Sequence, residues 1–147
     1  METDIVHFGA DSSTEALESL VSVAESNEYV TDAYREALLD REVEYPTGIY
    51  IPPLDYGVAI PHADADLVTE QALIVGLPES SVAFNSMESP DETVDTELVL
   101  LLVVKDTDGY SEFLSNLVPL FQEESFYEEV QAGNGDEIVA KIRNACL

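Results

Sequence analysis

The chain has 147 residues, 46% of them hydrophobic, with 31 Asp plus Glu against 5 Lys plus Arg and a formal net charge of −26 at pH 7. That length suits a single hydrophobic core, and the apolar fraction is too high for a disordered polymer. A field of this sign repels phosphate backbones and anionic headgroups, which argues against nucleic acid and membrane surfaces as partners.

In chain order, Ser12 or Ser13 can cap a first helix whose apolar positions Leu17, Leu20, Val21 and Ala24 fall on one face, with Glu15 and Glu18 near its positive end. Thr31 or Asp32 can cap a second helix carrying Val30, Ala33, Tyr34, Ala37 and Leu38 on one stripe. Arg41 continues that stripe, only about 20° off the face of Val30, so a cation points inward. The run Tyr45, Pro46, Thr47, Gly48 stops the helix, because Pro46 restricts the residue before it and cannot continue the turn. Short strands are predicted at 48–51 and 57–60, separated by Pro52 and Pro53. The second leads through Pro61 into His62, placing that ring at a strand's carboxyl end.

Two unbroken apolar runs, 72–77 and 98–104, suit strands covered on both faces. Between them the chain is polar and reads mostly as loop, with Val82 and Phe84 the place for a short edge strand. Tyr110, Phe113, Leu114, Leu117 and Phe121 have helical spacing, and Pro119 predicts a kink or break. A short helix can follow from Ser125. After the turn at Gly133, Asn134 and Gly135, Asp136 can cap a last helix with Ile138, Val139, Ile142 and Ala145 inward. The order of elements predicts an α/β layer architecture with the sheet between helices.

The acids are scattered from Glu2 to Glu137 without a tail-like run, so they coat a folded surface and repel one another. At about 1 M salt the Debye length is about 3 Å, and such a coat then costs little, so the composition reads as halophilic. Cys146 is the only cysteine, which leaves no intrachain disulfide and no cysteine-based metal cluster. No apolar run approaches the ~18 residues of a membrane span, and Met1, Glu2, Thr3, Asp4 lacks a basic leader, so a cytoplasmic location is expected.

Few residues could carry chemistry. His62 is delivered by a strand to the sheet edge where ligands bind, which makes it the candidate nucleophile, although a lone histidine there is more often an ordinary hydrogen-bonded polar residue. His62, Asp64 and Asp66 form a donor string, but without a second nearby histidine or a cysteine pair no metal site is expected. There is no GxxxxGK[ST] loop, no GxGxxG and no GxSxG elbow, which argues against independent kinase or hydrolase activity. An inward Arg41 must be paired: with an acid such as Glu44 or Asp64, or with an anion such as a phosphoryl group on a nearby imidazole. Spacing leaves both open.

Two segments carry a family pattern: 32–48, containing Arg41, Glu42, Val43, Glu44, Tyr45, Pro46, Thr47 and Gly48, and 57–62, Gly-Val-Ala-Ile-Pro-His. Together they resemble the enzyme IIA proteins of the phosphoenolpyruvate-dependent sugar phosphotransferase system, fructose/mannitol superfamily, and most of all its galactitol-type branch. The resemblance covers most of the chain as one type 2-like domain, 1–147, and is weakest over the first ten residues and 78–96.

It implies a mixed, mainly parallel sheet of about five strands flanked by helices on both sides. It also implies a phosphocarrier without cofactor: His62 accepts a phosphoryl group from HPr and passes it to a cysteine of enzyme IIB for sugar or alditol uptake, beside Arg41. A regulatory role, as in the nitrogen-related branch, is the alternative. Tyr110 stands where the mannitol and fructose branches carry a second histidine. In this setting His62 should be largely neutral, with the negative surroundings raising its pKa, and Asp64 is a candidate for fixing its tautomer. Arg41, amides around Ala63 and a helix N-terminus are the expected positive groups.

Overall fold

The computed structural model describes residues 1–105 and 109–146. The two apolar runs become the adjacent strands at the centre, β4 (Ala72–Pro78) and β6 (Thr93–Val103), antiparallel with Ala72 opposite Val103 and Gly76 opposite Val99. Their sequence lacks alternation because both faces are covered. Ile74, Val99, Leu101 and Val103 pack on one side with α1 (Ser13–Ser26) and α2 (Tyr34–Glu44). Leu73, Val75, Leu98, Leu100 and Leu102 pack on the other with α3 (Tyr110–Phe121), α4 (Glu124–Ala132) and α5 (Gly135–Cys146). The expected α/β architecture, a mixed sheet between helical layers, is what forms.

The remaining strands are β1 (Glu2–Phe8), β2 (Gly48–Ile51), β3 (Tyr56–Ala59) and β5 (Val82–Asn85), with a 3-10 turn at Ala65–Leu67. The order across the sheet is β1-β4-β6-β3-β2, with β5 on the outer part of β6. β1 runs parallel to β4, and β3 parallel to β6, while β2 and β5 pair antiparallel with β3 and β6.

Several boundaries depart from the sequence reading. β1 was not anticipated, because an edge strand with Glu2, Ile5 and His7 exposed and only Phe8 buried has no clean apolar face. α2 begins at Tyr34 with Ala33, which has no capping side chain, at its N-cap; the Thr31 carbonyl accepts from the Tyr34 amide, the Thr31 amide donates to the Leu67 carbonyl, and Val30 bridges Val68. α3 runs through Pro119 and stops two residues later. Pro119 removes the one ladder bond that would reach the Ser115 carbonyl, and burial of Leu117, Leu120 and Phe121 holds that turn in the core despite it. α4 closes on Gly133 with φ +67°, a left-handed cap. In α5 it is Cys146, rather than the exposed Ala145, that packs inward.

Gly57 is where β3 shifts register against β6. A Cβ there would lie 2.5 Å from the Asp95 carbonyl oxygen and closer still to the Val94 side chain. Gly57→Ala is therefore expected to destabilise the fold by about 2 kcal/mol in urea unfolding, because backbone and not a flexible tip must yield.

Candidate functional site

Beyond the end of β3, the chain is pinned before it reaches His62. The Ile60 amide donates to the Thr47 carbonyl at 3.3 Å, and the Leu102 amide to the Pro61 carbonyl at 3.0 Å. Ile60 and Pro61 are buried, so the backbone carrying the half-buried His62 is fixed on both sides.

Imidazole Nδ1 lies 3.1 Å from the Ile60 carbonyl oxygen and 3.1 Å from Tyr110 Oη. A carbonyl only accepts, so Nδ1 carries the proton and Nε2 the lone pair. Tyr110, first residue of α3, sets its ring 5.3 Å from the imidazole at 55°. Asp64 is exposed, and Ile60 takes the tautomer-fixing role for which Asp64 was a candidate. The pKa of His62 is lowered, not raised: burial disfavours the charged ring most, and the nearby Arg41 cation adds to this, against the opposing Ile60 hydrogen bond. Local desolvation outweighs the scattered surface carboxylates, which act through water.

Arg41 reaches the site from α2. Its Nε is buried with no hydrogen-bond partner among the described residues, and neither Glu44 nor Asp64 closes an ion pair on it. The guanidinium lies 5.4 Å from the centre of the Tyr45 ring, a cation–π contact that offsets part of its desolvation without using a donor. Tyr45 itself is 58% exposed, so the far side of its ring remains open to solvent beside the guanidinium.

Two neighbours escaped the sequence reading. Glu42, 9% exposed, accepts from the Thr47 amide at 2.9 Å and pairs with the Thr47 hydroxyl. It thereby latches the Pro46–Gly48 turn, whose Thr47 carbonyl in turn holds Ile60, so the two motif segments are joined through hydrogen bonds. Their signal was present in the sequence as an acid and a threonine flanking a proline, but an acid in so acidic a chain draws no notice. Tyr34, assigned to the core stripe, is fully buried, and its hydroxyl has no hydrogen-bond partner among the described residues.

Burial raises the Glu42 carboxyl from 4.5 to about 7, against the Thr47 hydrogen bonds that favour the anion. A raised carboxyl contributes stability that is complete below its unfolded pKa and lost as pH climbs through the folded value. Glu42→Gln keeps the shape and removes the charge. It is expected to match the wild type near pH 4 and to exceed it by about 2–3 kcal/mol above pH 8, read from denaturant unfolding at constant molar salt.

A neutral imidazole with Nδ1 held, under the charge of a guanidinium that has no ion-pair partner among the described residues, suits reversible attachment of a small anionic group. The chain belongs to the phosphoenolpyruvate-dependent sugar phosphotransferase system EIIA 2 family, whose pattern matches residues 2–145. Among its relatives, the galactitol-specific EIIA component of Escherichia coli K12 is 30% identical over 99 residues, 67% of this chain; the match spans 64% of that relative's length. The fold is similar to that of a putative PTS IIA (PtxA) from Streptococcus mutans, with TM-score 0.73, 19% identity and coverage of 98% of this chain and 88% of that one. It is likewise similar to enzyme IIAMTL in its complex with phosphorylated enzyme IIBMTL from Escherichia coli, with TM-score 0.72, 20% identity and coverage of 95% and 92%.

Proposed function

We propose that this chain is a single-domain phosphocarrier, taking a phosphoryl group from HPr onto His62 Nε2 and giving it to a cysteine of enzyme IIB. The observation that carries the reading is the Nδ1 contact with the Ile60 carbonyl, which leaves Nε2 as the unprotonated nitrogen near Arg41. In the first step the N–P bond of the donor phosphohistidine breaks as Nε2–P forms. In the second, Nε2–P breaks as S–P forms on the thiolate. Because Nδ1 keeps its proton throughout, His62 leaves as a neutral imidazole, and neither step moves a proton through His62.

Arg41 supplies the fixed positive charge for the equatorial oxygens, and the exposed ring of Tyr45 beside it offers apolar docking contact that works where salt screens electrostatic steering. The galactitol-specific relative favours an alditol pathway, and the pairing of enzyme IIAMTL with phosphorylated enzyme IIBMTL favours an enzyme IIB as the acceptor. A cytoplasmic, salt-rich setting fits the acidic coat.

The test is phosphate transfer from labelled phosphoenolpyruvate with enzyme I and HPr, in molar salt. Label should enter the protein in acid-labile form and discharge when a candidate enzyme IIB is added. Absence of label overturns the carrier reading. Label that persists with every candidate IIB points instead to a regulatory phosphoprotein.

A further inference from the structure

Resting on the carrier reading, we propose that the phosphoryl site extends onto the buried face of α2, with the Tyr34 hydroxyl as a second donor to the phosphoryl oxygens beside Arg41 Nε. Tyr34 and Arg41 are seven residues apart, about 20° from a common line on the helix, so they share a face, and each acts on the loop that carries His62: Tyr34 against the Ala63 backbone, Arg41 through its charge on the imidazole.

Both also end in a buried donor atom with no hydrogen-bond partner among the described residues. Buried hydroxyls are nearly always bonded, and phenylalanine would fill the same apolar volume without an orphan. Two orphaned donors on one helix face, next to the same histidine loop, are what an anion would satisfy together. The Ala63 amide, immediately after His62, faces the Tyr34 oxygen without closing a hydrogen bond, and the Arg41 charge acts on Tyr34, Tyr110 and His62 alike.

Burial keeps the phenol protonated, hence a donor, at any pH near neutrality. One cation and neutral donors are a reasonable complement for a group that must be released again, since each added full charge would deepen the bound state. Tyr34 exchanges no proton in this role; it donates a hydrogen bond to oxygens that arrive and leave with phosphorus.

The experiment compares wild type and Tyr34→Phe, each equilibrated with phosphoenolpyruvate, enzyme I and HPr, for the ratio of phosphorylated to free protein at fixed phospho-HPr. The ratio is expected to fall about tenfold in the variant, while the unphosphorylated variant melts at the same or a higher temperature. As a second readout that survives any folding defect in the variant, the 13Cζ resonance of Tyr34 in the wild type should move on phosphorylation, and should not move in His62→Ala under the same mixture. An unchanged ratio together with an unmoved resonance overturns the proposal while leaving the carrier reading intact. A wild type that takes no label overturns both.

Discussion

His62→Ala is expected to take up no acid-labile phosphate from labelled phosphoenolpyruvate, enzyme I and HPr, a loss beyond the roughly thousandfold range of such an assay. His7, the other histidine, is exposed on the edge strand β1, and among the described residues no carbonyl holds its ring as Ile60 holds that of His62. Undiminished labelling of the variant would place the acceptor elsewhere and remove the basis for the carrier reading. The wild-type pH profile carries a second signature of the same ring. Only the neutral imidazole attacks, and its pKa lies below the ordinary 6.5. The midpoint of the fall in labelling rate with acidification should therefore lie below pH 6.5, whereas a surface histidine would be half inactive at its ordinary pKa.

Arg41 gives the second large effect. Arg41→Met keeps the length of the stem and removes the charge and donors, and labelling of His62 should slow about 100-fold, equivalent to about 2.7 kcal/mol of transition-state stabilisation. Arg41→Lys should recover little, because an ammonium cannot reproduce the planar fork and, as a compact, strongly hydrated ion, gains less from the face of Tyr45. Stability should move the other way. Among the described residues the wild-type guanidinium has no ion-pair partner and its Nε is unsatisfied, so Arg41→Met is expected to unfold at equal or higher urea concentration than the wild type. A variant both slower and less stable in proportion would instead mark Arg41 as structural.

Much of this was legible in the sequence. The central strands announced themselves because residues buried on both faces need no polar alternation, and α1 showed a regular stripe closed by Ser12, whose hydroxyl accepts from the Glu15 amide as a cap should. The site was legible through two motif segments and one inward cation. β1 was hidden by its exposure: at an edge, half the pattern that identifies a strand is given over to solvent. Tyr110 was legible as the start of a helical stripe, yet its contact with Nδ1 depends on where α3 begins, and that is a matter of tertiary packing. Glu42 went unnoticed as one more acid, while Tyr34, rightly placed on the buried stripe, gave no sign that its hydroxyl lacks a partner among the described residues. Neither residue type reveals from sequence whether its polar atom finds a partner.

Arg41 and Tyr34 come from the layer below the sheet, Tyr110 from the layer above, and His62 from the strand end between them. Peeling either layer away would dismantle the constellation even if the strands persisted. Loss of function and loss of structure should then follow one curve on denaturation, and molecules caught half-open would drop silently out of phosphate traffic rather than hold it in a form no partner can collect.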